Sequence, residues 1–419
     1  MSHLEWLFEK GIQASETDAH DGAGMNTNLK DRYAIIGIGQ SRLGEVAGST
    51  ALGLMMEASV EAMNDAGIAK DDIDGIICRG PDDMYGFHQQ IGQLLGINVG
   101  FSTTLDNGGA SQILSVILAV SAIEAGLCNT VLCGYSRDAW SRTHRSEDAR
   151  MSQRASGPTQ SPFARDIYSS ETFGLFGAPA MHAFGARRHM DLYGTTKDQL
   201  GAIAVAFREH ARRNPLAQMY TKALTLDDYR AGRSIVEPFN LYDCSLRTDG
   251  AGAVIVTSVD RAKDFRKPPV NISGFGTYNN VSGWFHDENM VNTAAIQSSK
   301  KAYSMAGLGP RDVDVFEVYD CFTYMVLVQL EDYGFCEKGE GGPFAASGAL
   351  RLGGILPTNT AGGQLSEGHV EGMLQIVEAA RQVRHDHGMD RQVKDAKVAL
   401  VSGHGGNTVC HSSLILTSS

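Results

Sequence analysis

The run SQILSVILAVSAIEAG (111–126) is apolar on nearly every face and broken only by serines, a glutamine and a glutamate. That pattern predicts a helix buried all round rather than one lying on a surface. It follows LDNGGA, whose glycine pair reads as a tight loop feeding the helix start. Two other runs, AIIGIGQ (34–40) and NISGFGT (271–277), read as strands that each end in Gly-x-Gly. AMNDAGIAKDDIDGI (62–76) and AYSMAGLGPRDVDVF (302–316) each read as the end of a helix, a glycine stop, an acidic turn and a strand. The second copies lie 237 and 240 residues after the first, in the same order. Two similar α/β halves follow from that repetition, about 31–260 and 268–419, after an N-terminal extension over 1–30.

Between about 137 and 197 a polar insertion interrupts the first half, a pattern expected of a lid or binding loop. Its arginines, Arg137, Arg142, Arg145, Arg150, Arg154 and Arg165, suit either a phosphorylated ligand or a solvated loop. GIGQSRLG (37–44) lacks the third glycine of a dinucleotide fingerprint, since Arg42 stands there, so the Gly-x-Gly reads as strand–turn geometry.

A chain of 419 residues with 48 glycines and no Gly/Pro-rich tract fits many tight strand–helix turns. The net charge of −12 gives no footing for nucleic acid, and no apolar stretch reaches membrane-spanning length. Seven cysteines without a CxxC pair suit a reducing cytoplasm, and the scattered histidines predict no metal site.

Four stretches carry a family resemblance: HMDLYGTTKDQLGAIAVAFREHARRNPLA (189–217), SIVEPFNLYDCSLRTDGAGAVIV (234–256), EVYDCFTYMVLVQLEDYGFCEKGEG (317–341) and LPTNTAGGQLSEGH (356–369). Residues 31–419 resemble the thiolase superfamily, in the branch of sterol-carrier-protein-type thiolases and lipid-transfer-protein homologues. The resemblance implies an α/β thiolase fold, five-layered αβαβα from two duplicated halves. It also implies a homodimer acting on acyl-CoA thioesters, with coenzyme A as part of the substrate and no bound cofactor.

The family's nucleophilic cysteine stands at the start of the buried helix, and here Gly109 takes its place. Ser111 reads as a helix-start residue, and Cys128 and Cys133 lie beyond the helix. The branch's His-Asp-Cys-Phe motif is Tyr319-Asp320-Cys321-Phe322 here, His369 matches the Gly-His motif, and GHGG (403–406) matches a glycine-rich loop beside the site. Val401 replaces the second cysteine of other thiolases. A lost nucleophile and a tyrosine in that motif resemble the thiolase-fold steroid side-chain aldolases, which cleave a β-hydroxyacyl-CoA. Those homologues commonly work with a small partner holding an OB-fold and a zinc ribbon.

The implied catalytic set is Tyr319 at the hydroxyl oxygen, His369 and His404 polarising the thioester, and Cys321 or a water returning the proton. Glu367 joins it as an alternative base, where such aldolases carry a second tyrosine. Gly108, Gly109, Ser111, Asp320, Gly405 and Gly406 form the implied substrate-binding set. Trp284, Phe285, Tyr324 and the 150–185 segment are expected around the acyl pocket. Two other readings stay open: a β-ketoacyl-CoA thiolase with a different nucleophile, and a non-catalytic subunit of a thiolase complex.

Overall fold

A computed structural model describes residues 29–81, 84–144, 177–263, 265–280, 290–406 and 410–419. Outside the described residues lie the extension up to residue 28, the insertion over 145–176 with Arg145, Arg150, Arg154 and Arg165, and also Trp284 and Phe285.

Eleven strands are described: β1 (Tyr33–Gln40), β2 (Gly75–Arg79), β3 (Phe101–Thr104), β4 (Thr130–Asp138), β5 (Ser234–Val236), β6 (Phe239–Asn240), β7 (Asp249–Ser258), β8 (Val270–Asn279), β9 (Val315–Glu317), β10 (Val398–Gly405) and β11 (Cys410–Ser418). Nine of them share one sheet in the order β3-β2-β4-β7-β1-β8-β11-β10-β9, and β5 pairs with β6 separately. The order repeats from the middle outwards. β1-β7-β4-β2 runs antiparallel, antiparallel, parallel, and β8-β11-β10-β9 does the same. Where the first half adds β3 parallel to β2, the second has, among the described residues, a parallel bridge from Phe316 to Thr358.

The duplicated sequence patterns fold alike. Helix α1 (Ala51–Ala66) ends at Gly67 (φ 74°), and its counterpart, Ala295–Ala306, ends at Gly307 (φ 65°). The left-handed conformation at both stops is one that glycine adopts without strain. Each is followed by one 3-10 turn whose last aspartate accepts a backbone N–H three residues back, Ala69 to Asp72 and Gly309 to Asp312, both 2.8 Å.

Two helices lie between the halves: α2 (Ser111–Glu124) and the helix Met373–Val383, here α6. Ile113, Val116 and Val120 of α2 join Met373, Ile376, Val377 and Ala380 of α6 in one cluster with residues from strands of both halves. A second cluster puts α1 on the outer face of the first half, and a third covers the outer face of the second. That makes five layers. Both sheet faces are buried, so strand residues alternate between clusters rather than between core and water: Ala34 and Ile36 face outwards to α1, Ile35 inwards to α2 and α6. The remaining helices used below are α3 (Gly177–Tyr193), α4 (Ala295–Ala306) and α5 (Thr323–Asp332). Among the described residues no helix is long and apolar enough to cross a membrane.

The Gly-x-Gly pairs serve this layering. A Cβ on Gly37 would sit 2.3 Å from the Ala62 carbonyl oxygen and one on Gly39 2.0 Å from that of Ala58. Gly274 and Gly276 meet the carbonyls of Ala302 and Ser298 in the same way, at 2.3 and 2.1 Å. The glycines let a helix backbone rest on the strand, which accounts for the motif without a dinucleotide. Gly39→Ala is expected to cost about 2 kcal/mol or more in urea unfolding, because α1 has to move. Gly53→Ala, where the new methyl meets only the Thr50 hydroxyl at 3.2 Å, is expected to gain up to about 1 kcal/mol from helix propensity.

Candidate active site

The loop before α2 is built by its own short bonds. Asn107 N–H donates to Ser111 Oγ (2.6 Å), Gly108 N–H to Asp106 (2.9 Å), and Ser111 N–H to the Gly108 carbonyl (3.0 Å). Ser111 is fully buried and its hydroxyl is engaged with the loop, so it holds the helix start, as its position suggested. Gly108 is left-handed (φ 57°), and glycines of β10 lie directly against the loop. A Cβ on Gly405 would fall 1.9 Å from the Asn107 carbonyl oxygen, one on Gly403 3.0 Å from that of Gly109, and one on Gly108 3.2 Å from Gly406 N. Gly108, Gly109, Gly405 and Gly406 are thus brought together.

Tyr319 enters from β9. Its N–H donates to Ser402 Oγ (2.8 Å), its carbonyl accepts from Gln329 (2.9 Å), and Ser402 donates to the same Gln329 (2.6 Å). That frame aims the phenol at Gly109. A Cβ on Gly109 would lie 2.2 Å from ring atoms Cε2 and Cζ and 2.3 Å from the hydroxyl. The ring fills the space in which a cysteine side chain would begin. No hydrogen bond to the Tyr319 hydroxyl is formed among the described residues. Burial, then Glu371 and Cys321, push its pKa well above that of an ordinary tyrosine, so it is a neutral phenol at pH 7.

His404, on β10, has its ring 5.8 Å from that of Tyr319. Its Nε2 lies 3.4 Å from Nε2 of His182, and its buried Nδ1 has no partner among the described residues. His182 stands on α3 and bonds through Nδ1 to the Ala178 carbonyl (2.8 Å). Burial drives His182 down to about 4, and burial with His182 and His411 drives His404 well below the imidazole range. The potential ligand atoms of His182, Cys321 and His404 all lie within 4.8 Å of one another. His369 contacts Ser245 Oγ through Nδ1 (2.9 Å), leaves a buried Nε2 unpartnered among the described residues, and is pushed down to about 3, chiefly by burial.

Asp320 turns away into the backbone. It accepts from the N–H groups of Gln364 (2.9 Å) and Leu365 (3.1 Å) and from Gln375 (3.1 Å), and burial lifts it to about 7. It fixes the turn that carries His369. Glu367 is drawn elsewhere: its carboxylate accepts from Asn214 (3.1 Å) and Gln40 (3.4 Å), and burial, then Glu378, raise it to about 7. Its charged neighbours are Glu378, Arg381 and Arg391, whereas those acting on Tyr319 and His369 are Glu371, Arg79 and Arg137. Tyr324 packs in the outer cluster of the second half, edge-on to His189 with ring centroids 5.8 Å apart.

That second charged group was not evident from sequence. Arg79 ends β2, bonds Asp106 (2.9 Å) and Tyr135 (3.3 Å) and pairs with Glu371. Arg137, at the end of β4, lies 3.7 Å from Glu371. Burial alone would raise Glu371, but Arg79 and Arg137 hold it below the usual carboxylate range. Glu371 is left-handed (φ 46°), a strained conformation for glutamate. The available signals were a lone arginine closing an apolar strand and an acid two residues past His369; His182, at the tail of the insertion, offered none.

None of the thiols is poised as a nucleophile among the described residues. Burial lifts Cys78 and Cys244 to about 12, Cys128 to about 11 and Cys321 well above 9. Activated cysteines shift the other way.

Comparison with known proteins agrees with this fold. Residues 276–418 match the family Thiolase C-terminal domain-like. The chain is 34% identical over 367 residues to 17-hydroxy-3-oxo-4-pregnene-20-carboxyl-CoA lyase of Mycobacterium tuberculosis, covering 85% of this chain and 92% of that one. It is 34% identical over 368 residues to the steroid side-chain-cleaving aldolase of Thermomonospora curvata, covering 85% and 91%. Among solved structures, the Ltp2-ChsH2(DUF35) aldolase superimposes with a TM-score of 0.82 at 33% identity, over 93% of this chain and 98% of that one. A duplicated five-layered fold, a glycine in the nucleophile's place and relatedness over most of its length together make this chain a member of the thiolase superfamily, in the group that contains the steroid side-chain aldolases.

Proposed function

We propose that the chain cleaves a β-hydroxyacyl-CoA by a retro-aldol reaction, giving a carbonyl compound and a shorter acyl-CoA without an acyl-enzyme. The observation that carries this reading is the Tyr319 ring in the space beside Gly109. Residue 109 has no side chain to take an acyl group, and the space one would need is taken by a phenol. The raised thiols and the engaged Ser111 weigh against a substitute nucleophile, and so against the thiolase reading.

The chemistry needs a group at the β-hydroxyl, donors at the thioester oxygen and a route for one proton. Tyr319, protonated and without a partner for its hydroxyl among the described residues, hydrogen-bonds the substrate oxygen. His369 meets the thioester oxygen through its Nε2, which has no partner among the described residues. Removal of the hydroxyl proton falls to an imidazole, since burial keeps His369 and His404 neutral. Cys321, a thiol at neutral pH, or a water returns a proton to the enolate carbon. Glu367 supports the His369 segment from its own polar nest rather than acting as base. Gly108, Gly109, Gly405 and Gly406 give the substrate close access to backbone, and coenzyme A enters as part of that substrate.

The 85% and 91–92% overlaps with a steroid lyase and a steroid aldolase support a bulky polycyclic acyl group. The Ltp2-ChsH2(DUF35) neighbour supports a separate DUF35 partner, and the homodimeric core follows from the family resemblance alone. Seven free thiols fit a reducing cytoplasm.

Tyr319→Phe is expected to lower kcat for a tertiary β-hydroxyacyl-CoA about 100-fold or more, with the unfolding midpoint little changed. The matching β-ketoacyl-CoA with free CoA is not expected to react. CoA-dependent cleavage of that keto substrate would sink the proposal, and silence in both assays with partner present would favour the non-catalytic subunit. Gly109→Cys alone is expected to destabilise by about 2 kcal/mol, from overpacking against the phenol. Combined with Tyr319→His, which trims the colliding ring atoms, it is expected to recover about 1 kcal/mol or more, a coupling read in a double-mutant cycle.

A further inference from the structure

We infer that His182 is a positioning residue that fixes His404 in the tautomer protonated on Nε2, so that His404 enters the reaction through a bare Nδ1, as proton acceptor rather than donor.

The chain of reasoning begins at a backbone carbonyl. The Ala178 oxygen can only accept, so His182 Nδ1, 2.8 Å away, carries a proton. Both imidazoles are buried and held neutral, so each carries one proton. His182 Nε2 is therefore a lone pair, and it faces His404 Nε2 at 3.4 Å. Two lone pairs would repel at that distance, so His404 Nε2 carries the hydrogen and donates it. His404 Nδ1 is then a lone pair, in a buried position where nothing among the described residues donates to it. An orphan acceptor in the interior is costly unless something uses it. Phe322 and Tyr319 flank this pair, with ring centroids 4.7 Å from His182 and 5.8 Å from His404 respectively, which leaves the imidazoles little freedom to turn.

The inference rests on the retro-aldol reading and refines it. A polarising role for His404 would need an N–H aimed at the thioester, and its one N–H is already given to His182. The step then balances on the chain's own groups. The β-hydroxyl proton passes to His404 Nδ1 as the Cα–Cβ bond breaks. The carbonyl of the released product forms, and the bond's electron pair moves into the thioester as an enolate. His404, now carrying two protons, is restored when one proton returns to the enolate carbon, directly or through Cys321. Cys321 stands beside the pair, its sulfur within 4.8 Å of one ring nitrogen of each histidine.

The direct test is a long-range proton–nitrogen NMR spectrum of the full chain labelled with 15N-histidine at pH 7, assigned with the His182→Gln and His404→Gln variants. His404 is expected to show a protonated Nε2 and a bare Nδ1, and His182 the reverse. In His182→Phe the His404 signals are expected to lose that single tautomer, with kcat falling about tenfold or more and KM little changed. His182→Gln, whose side-chain oxygen can accept from His404 Nε2, is expected to retain both the tautomer and most of kcat. A proton on His404 Nδ1 in the unaltered chain, or a His404 spectrum unmoved by His182→Phe, would overturn the inference. So would zinc held by His182, Cys321 and His404, which would require a lone pair from each imidazole toward the metal. The spectrum needs no turnover. An intact tautomer lock in a chain that fails to cleave hydroxyacyl-CoA would therefore refute the assigned step through the retro-aldol reading, and a lost lock in an active chain would refute the inference alone.

Discussion

Gly109 and Tyr319 exclude each other's alternatives, and the rest of the site depends on that exclusion. The phenol can stand where it does only because residue 109 has no side chain, with a Cβ position 2.2 Å from the ring. Residue 109 in turn cannot regain a nucleophile without expelling the phenol. Gly372 closes the same space from the other central helix, since its own Cβ would come 3.2 Å from the Tyr319 ring and 3.5 Å from the Gly109 carbonyl oxygen. A site built around an acyl-accepting sulfur and one built around a hydroxyl donor are thus alternative packings of one volume. A change of chemistry within one fold needs paired substitutions here, not a single one.

Burial then settles which groups are charged. The phenol, the thiol of Cys321 and the imidazoles of His182, His369 and His404 are all held in neutral forms by desolvation. The formal charges stand just beside them, in Arg79, Arg137 and Glu371. A neutral lining suits a reaction whose resting substrate is neutral at the reacting carbons and whose transition state gathers negative charge on one thioester oxygen. A unit charge about 4 Å from that oxygen would contribute roughly 4 kcal/mol at an effective dielectric near 20, so the balance of the nearby triad matters to the barrier. Glu371 offsets the two guanidiniums, which tempers the stabilisation of the enolate and keeps Tyr319 protonated.

The fold and the voids were legible in the sequence because they depend on local rules. Buried strands and helices declare themselves as apolar runs, helix stops as glycine, and close layer packing as Gly-x-Gly, and the last two signals occur twice at nearly the same offset. Tyr319, Cys321, His369 and His404 were reachable through motif position; the Tyr319 ring lies against Gly109, His404 beside Tyr319, and Cys321 beside His404. Glu367 shows the limit of that method. Two residues from His369 along the chain, its side chain leaves for Asn214 and Gln40, because the turn held by Asp320 sends neighbouring side chains to different nests. Arg79, Arg137, Glu371 and His182 could not be joined in advance, since their meeting depends on strand ends and helices from four separate parts of the chain.

The duplication also explains why the two halves contribute unlike parts. In both, a loop with left-handed residues leads into a central helix: Gly108 (φ 57°) before α2, and Glu371 and Gly372 (φ 46° and 89°) before α6. The first loop presses its backbone onto the glycines of β10 and leaves space at Gly109. The second tolerates a strained, non-glycine residue because two arginines from the first half hold its carboxylate, and it carries His369 just upstream. Left-handed glutamate costs of order 1 kcal/mol or more, which the buried ion pairs must offset for the loop to persist. The strain and the pairing are therefore one device. It ties the polar loop of one half, with His369 two residues upstream of Glu371, to the strand ends of the other.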